Sequence, residues 1–351
     1  MTTRPLALLL LLSSPVAAPV AAEEAAKCPV DAKPVVSLGF GSRYTDDSEN
    51  RSDFDEEADK AVTAALKPID DFITELARQT NILNDPDTRP AEAEAAAACV
   101  MEAILTWAKA DALSKLETQG ANLSAPSRVG GIAFAYAAAL KIMPQPEGKE
   151  KIEDWLLARA RQTMTYFDTE APPRASQNNL RAWAGLAVTR VGLVLDDPAL
   201  IDWGADTASL VACTAEADGS LPNEMWRGKL ALHYQIHAVA PLVTTAALLQ
   251  DDRPELFTGC DRAIPRIVDF TIAGLEDPAI VEKITGEKQS VGGAKKARDF
   301  ELAWIPAYLT LDPDPQIAEL GAGVKELGNS KLGGDQRLLW PGVASADPAD
   351  G

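Results

Sequence analysis

The stretch WRGKLALHYQIH, residues 226–237, holds both histidines of the chain, His233 and His237, together with Arg227 and Tyr234. On a helix, residues seven apart nearly eclipse, so Arg227 and Tyr234 share a face, while the two histidines, four apart, define another face about 100° away. A guanidinium beside a phenol stabilises the phenolate, so such a tyrosine can exchange a proton near neutral pH while the arginine holds a carboxylate. Spacing alone also fits a surface arginine next to a tyrosine at the edge of a core. The histidines have the i, i+4 spacing of a helical zinc site. The intervening Tyr-Gln-Ile lacks the glutamate of HExxH, however, and the chain has no third histidine, so the pattern argues against a metal and for hydrogen-bonded members of a packed helix.

A second constellation is PPRASQNNLRAWAG, residues 172–185. A proline- and serine-rich loop ends in Asn178 and Asn179 where a helix should start, followed by Arg181 and Trp183. Asparagine is a favoured N-cap, which accounts for one of the two. An amide side chain beside free backbone N–H groups at a helix start also makes an anion site, and a neighbouring tryptophan offers a flat face for a sugar ring.

These residues must be positioned by helices. Apolar residues recur at helical spacing in nearly every long segment, for example EEADKAVTAALKPIDDFITELARQ and KIEDWLLARARQTMTYF, and alternating β-branched runs are nearly absent. The fold class is all-α. Proline- and glycine-based breakers (DDPA at 196–199, ADGSLPNE at 217–224, DDRPE at 251–255, DPDPQ at 312–316) leave short connections, so neighbouring helices form antiparallel hairpins. An open solenoid and a closed (α/α) toroid both satisfy this pattern. The absence of a strict repeat period points to the toroid. GFGSRYTDDSENRSDFDEE, residues 39–57, is polar and non-periodic and reads as a disordered arm or a mobile lid loop, with Arg43 and Tyr44 equipped to touch a sugar acid.

Arg4, an apolar run from Leu6 to Leu12 and a small-residue tail ending at Ala22 read as a signal peptide over 1–22, too short to be a membrane span. Residues 23–351 then form a single exported domain without a membrane anchor. Cys28, Cys99, Cys213 and Cys260 make an even number in an exported chain, which favours two disulfides, with three pairings open. The net charge of −19 repels nucleic acid and anionic membranes, so a polyanionic ligand requires a locally basic cleft.

The sequence resembles the alginate lyases of polysaccharide lyase family five, periplasmic enzymes that cleave poly-mannuronate by β-elimination. The resemblance covers nearly the whole mature chain: CPV at 28–30, GSRYTDD with DEEADKA, QNNLRAWAG against the family's NNHxxW motif, DGSLPNEMWRGKLALHYQIHAVAPLV, and KLGGDQRLLW near the end. It implies an (α/α) toroid and no required metal or other cofactor. The expected partner is an anionic polysaccharide, and the expected state is a periplasmic monomer. It places Tyr234 on the family's catalytic tyrosine, Arg227 on its carboxylate-binding arginine, and Asn179 on the asparagine that holds the same carboxylate. Arg43 and Tyr44 fall on a lid lysine and tyrosine. Cys28 and Cys99 fall on what looks like a family disulfide, leaving Cys213 with Cys260.

One departure is serious. Where the family has histidine after the two asparagines, this chain has Leu180. Removal of the sugar C5 proton needs the adjacent carboxylate neutralised, and losing one such donor costs on the order of 3 kcal/mol, about a hundredfold in rate. Arg181 and His237 are the candidates to compensate, with Trp183 as a further sugar-binding residue. In mannuronate and glucuronate the C5 proton and the C4 leaving oxygen lie on one ring face, so a single tyrosine can serve as base and then acid. The expected function is therefore a polyuronate lyase acting on poly-mannuronate or a glucuronate-containing polymer. The alternative is a catalytically impaired uronan-binding protein of an exopolysaccharide system. A glycoside hydrolase using carboxylates such as Glu224 or Asp218 ranks behind both, because Glu224 is simply explained as a charge at a helix start.

Overall fold

The computed structural model describes residues 28–30, 33–293 and 295–341. The signal peptide expected over 1–22 lies outside them. The helices are α1 (Glu56–Asn84), α2 (Pro90–Lys109), α3 (Gln119–Ile142), α4 (Lys149–Thr169), α5 (Asn179–Leu195), α6 (Pro198–Ala212), the one-turn α7 (Pro222–Met225), α8 (Ala231–Leu248), α9 (Glu255–Glu276), α10 (Ala279–Thr285), α11 (Ile305–Leu311), α12 (Pro315–Ala322) and the one-turn α13 (Gln336–Leu339). The breakers act as their chemistry dictates. Asp197 caps α6 with Pro198 at its first position, and Asp314 caps α12 ahead of Pro315.

Helices α3, α5 and α8 are apolar almost all round, and such helices belong inside. Helix α5 packs between α3 and α8; α1 and α2 pack on α3, α4 and α6 on α5, and α9 on α8. The chain then closes on itself. A small hairpin of β1 (Gly328–Asn329) and β2 (Gly334–Asp335), joined through the turn Ser330–Leu332, lies against α1 and α3. The backbone N–H of Asp335 donates to Asn81 Oδ1 of α1 at 2.7 Å. A Cβ on Gly131 of α3 would come within 2.5 Å of the Ser330 carbonyl, so glycine is what admits this strap. Return of the last segment to the first helix makes a closed (α/α) toroid rather than an open solenoid.

Two details refine the sequence expectations. Arg227 is not on the helix of Tyr234: Gly228 takes φ +55, a short 3-10 turn follows, and α8 starts only at Ala231. The segment expected to be an arm or lid is folded: Tyr44 bridges Phe54, Thr45 N–H donates to the Asp53 carbonyl, and its last two residues already belong to α1. Both disulfides are formed, Cys28 with Cys99 and Cys213 with Cys260. Cys260 opens a left-handed turn, Cys260–Arg262, that interrupts α9. Among the described residues no helix is long and apolar enough to cross a membrane, and no three metal-ligating side chains converge.

Candidate active site

A cleft of about 630 Å³ lies between the 39–57 segment, α1, α3, the start of α5 and the α7–α8 junction. Its charged lining consists of Arg43, Arg51, Arg128, Arg174, Arg227 and Lys331, with no aspartate or glutamate among the described residues. In a chain of net charge −19 this is a local reversal of sign, the basic cleft that a polyanion needs.

At the lid end, the Tyr234 and Tyr44 hydroxyls are hydrogen-bonded to each other. Arg227 stacks over the Tyr234 ring with its Cζ 3.7 Å from the centroid. Its Nη2 donates to the Tyr44 hydroxyl at 2.9 Å and to the Arg51 carbonyl at 2.6 Å, and its Nε donates to the Asn50 carbonyl at 3.1 Å. The lid backbone thus orients the guanidinium. Burial pushes the Tyr234 phenol well above its ordinary value, and the Arg227 charge opposes this without overcoming it. The expectation that the arginine alone brings this phenol near neutrality is therefore corrected, since desolvation outweighs the cation.

Asn178 caps α5, accepting from the Leu180 N–H at 2.9 Å, which frees Asn179 for another task. Its amide nitrogen donates to both carboxylate oxygens of Glu224, at 3.1 and 2.9 Å, and its backbone N–H donates to Glu224 Oε1 at 2.7 Å. Asn179 Oδ1 is therefore an acceptor, and it lies 3.1 Å from His237 Nδ1. That places the imidazole proton on Nδ1. The Trp183 indole N–H, between His237 Nδ1 and the His237 carbonyl at 3.0 and 3.1 Å, must then serve the carbonyl. Burial, followed by the charge of Lys331, holds His237 well below its ordinary value, so the ring is neutral and its Nε2 carries no proton. Glu224 is fully buried, and burial raises it to about 7 against the opposing hydrogen bonds of Asn179.

The structure gathers Tyr234, Arg227, Asn179, Arg43, Tyr44, Trp183 and His237 around one cleft. Arg43 pairs with Asp59 at 3.2 Å near the rim. Arg181 is not brought in. It donates to the Phe167 carbonyl and to Asp168, each at 2.8 Å, and lies over Trp203, so as a replacement for the missing histidine it is corrected: one position along a helix turns a side chain by about 100°. In this orientation the Asn179 amide N–H groups are also engaged by Glu224 and hold no external carboxylate. Leu180 itself lines the cleft and packs on Tyr166, Phe167 and Ala184.

Sequence reasoning missed Glu224 as the anchor of this network, having explained it as a helix-start charge, which it also is in α7. It also missed Lys331, Arg128 and the stacking of Arg174 on Trp226, with its Cζ 4.2 Å from the ring. Arg128 is tied to Asp70 by Nη2 at 2.9 Å. Only the motif KLGGDQRLLW signalled that the Lys331 region mattered. At Trp183, His233, His237 and Lys331 the cleft meets a second cavity, whose lining includes Asp70, Glu301, Glu326 and Asp335. There His233 Nδ1 lies 3.1 Å from Glu301; although burial alone would raise Glu301, hydrogen bonds from His233 and Arg298 bring it down to about 2.

Comparison with known proteins agrees with this geometry. A family model described as alginate lyase matches residues 91–281. A polysaccharide lyase of Stenotrophomonas maltophilia (strain K279a) is 29% identical over 282 residues, covering 78% of this chain and 80% of the relative. An alginate lyase of Pseudomonas syringae pv. syringae (strain B728a) is 27% identical over 324 residues, covering 89% and 82%. Among solved structures, alginate lyase A1-III from Sphingomonas species A1 superimposes with a TM-score of 0.64 at 23% identity, and a variant of A1-III complexed with a tetrasaccharide does so with 0.72, each covering 89% of this chain and 86% of the other. The fold is thus shared over most of the molecule. Since the family match takes in more than half of the residues and includes Asn179, Arg227 and Tyr234, this chain belongs to the alginate lyase family and is a polysaccharide lyase acting on alginate.

Proposed function

We propose that the enzyme cleaves poly-mannuronate by syn β-elimination, with Tyr234 as both base and acid. The observation that carries this reading is the Tyr44–Tyr234–Arg227 cluster inside a cleft whose charged lining is entirely cationic. As a phenolate, Tyr234 takes the C5 proton. The C5 electron pair forms the C4=C5 double bond as the C4–O4 bond breaks, and the same phenol returns its proton to O4, so the cycle closes without loss or gain. The phenolate is reached when Tyr234 passes its proton to the Tyr44 oxygen while Tyr44 releases its own to water in the cleft, and Arg227, donating to Tyr44 and stacked on Tyr234, favours negative charge on either oxygen. Arg43, Tyr44 and Trp183 hold the polymer, and Arg227 Nη1 faces the carboxylate of the reacting sugar. Asn179 acts as a positioning residue between Glu224 and His237, whose bare Nε2 accepts from a sugar hydroxyl.

The working unit is a monomer of one domain, 23–351, in the periplasm. The two disulfides support an oxidising compartment. Incubating the mature protein with poly-mannuronate, poly-guluronate and glucuronan while following ultraviolet absorbance of the unsaturated product tests the assignment. Poly-mannuronate should give the steepest rise. Flat traces on all three polymers from folded protein would overturn it, and light scattering checks the monomer.

A further inference from the structure

The cations of the cleft differ in whether the protein already satisfies them. Arg227 is hydrogen-bonded through Nε and Nη2, Arg128 pairs with Asp70, Arg43 with Asp59, Arg174 bonds Asn223 and Arg51 bonds Ser42. The Lys331 ammonium makes no hydrogen bond or ion pair among the described residues, and its Nζ lies 5.9 Å from the centre of the Trp183 ring. Lys331 is half-buried, and a cation withdrawn from water in this way without a counter-ion is costly, so such a group persists where a ligand supplies the missing charge. Lys331 stands at the waist between the two cavities, beside Trp183, His233 and His237. Of the charged groups that act on it, Arg128 of α3 and Arg43 of the lid repel its proton. Asp70 of α1 attracts it but is itself held by Arg128 at both oxygens. From α8, His237 is neutral and His233 faces Glu301.

Leu180, on the same cleft, cannot donate; Asn179 is turned onto Glu224; and the His237 tautomer commits its N–H to Asn179, leaving Nε2 as an acceptor. We propose that Lys331 is the catalytic residue that neutralises a uronate carboxylate in this enzyme, doing the work of the histidine that Leu180 displaces. This rests on the reading above that a uronate enters the cleft. The strap that closes the toroid delivers the amine, so the lost donor is replaced from a part of the chain about 150 residues away along the sequence. Burial, with Arg128 next, pulls the Lys331 amine down to about 7, so it is charged in only part of the free molecules at neutral pH and takes up a proton as the carboxylate binds.

The test uses the full mature chain carrying Tyr234→Phe, in which ligand persists, and calorimetry with mannuronate trimers between about pH 6 and 9. Affinity in this parent should fall as pH rises past 7, by up to about tenfold per unit. Adding Lys331→Arg should remove most of that slope, while Lys331→Gln should remove as much of it and weaken binding at the acid end by about tenfold or more. Glu224, which also titrates near 7, contributes equally to all three and drops out of the comparison. An unchanged slope in the Lys331→Arg protein would overturn the proposal. In turnover, Lys331→Gln should lower kcat by about a hundredfold with its melting temperature retained, and Leu180→His should recover at least about tenfold in that background while adding less to the wild type. A wild-type kcat in the Lys331→Gln protein would equally sink it. Expected binding slopes from an enzyme that forms no unsaturated product would leave Lys331 as the carboxylate ligand and remove the elimination mechanism instead.

Discussion

The lid end and the strap end of the cleft present positive charge in opposite ways. At the lid end, Arg227 is fixed by the Asn50 and Arg51 carbonyls, by the Tyr44 hydroxyl and by the face of Tyr234. A guanidinium held in this manner works as a rigid electrostatic plate beneath a proton-transfer group. At the strap end, the Lys331 ammonium makes no hydrogen bond or ion pair among the described residues; it lies near the Trp183 ring and shares its surroundings with a neutral histidine. A fixed charge organises the chemistry, whereas an unpaired one awaits the substrate's own charge. The difference follows from residue type, because Arg offers several donors in a planar fork and Lys offers a point charge on a flexible stem.

The comparison can be broken or sharpened by substitution. The largest effect is expected from Tyr234→Phe, which keeps the ring under Arg227 and removes only the transferable proton. Its kcat should fall by about four orders of magnitude, at the top of the range for general acid–base groups, with thermal melting close to wild type. A loss below about tenfold would move proton transfer to another group. Arg227→Lys should follow, with kcat/KM lower by about a hundred- to a thousandfold, because a lysine cannot stack on Tyr234 and reach two lid carbonyls at once. Hydrogen exchange at 42–54 should speed up in the same variant, reporting the released lid.

Glu224→Gln addresses the network under Asn179 through stability. The folded-state value of Glu224, about 7, lies above its ordinary 4.5, so its protonation stabilises the fold fully below about pH 4.5, and that contribution is lost as pH rises through 7. Relative to wild type, Glu224→Gln should therefore gain stability between about pH 4.5 and 7, by on the order of 3 kcal/mol, and hold that offset above it. Chemical denaturation at several pH values measures this. A constant difference would show that Glu224 is ionised throughout. The smallest effect belongs to Trp183→Phe, which removes one indole donor to the His237 carbonyl, a change of about 1 kcal/mol. It should appear as a severalfold rise in KM with kcat little altered.

Much of this was legible in the sequence. Helical periodicity and the proline breakers gave the helix set, and the resemblance carried Asn179, Arg227 and Tyr234 to one cleft. What sequence misread concerns environment. Arg227 and Tyr234 do meet, but across a turn at Gly228 rather than along one helix face, since helical spacing does not show where a helix begins. Arg181 was a candidate to replace the missing histidine, yet its helical position aims it at Asp168. The Tyr234 phenol was expected near neutrality from its cation, and burial reversed the sign. Burial is a property of everything packed around a group and is invisible in local spacing.

Composition and periodicity by themselves determined an all-α, acidic chain with an even set of cysteines, because these depend on residues close in sequence or on simple totals. Only tertiary closure decided where charge accumulates, which cations are paired, and that an amine at position 331 stands at the waist of the cleft opened between the lid and α5. The reason is that long-range electrostatics and desolvation act between groups the chain brings together last, through the strap that joins its end to its first helix.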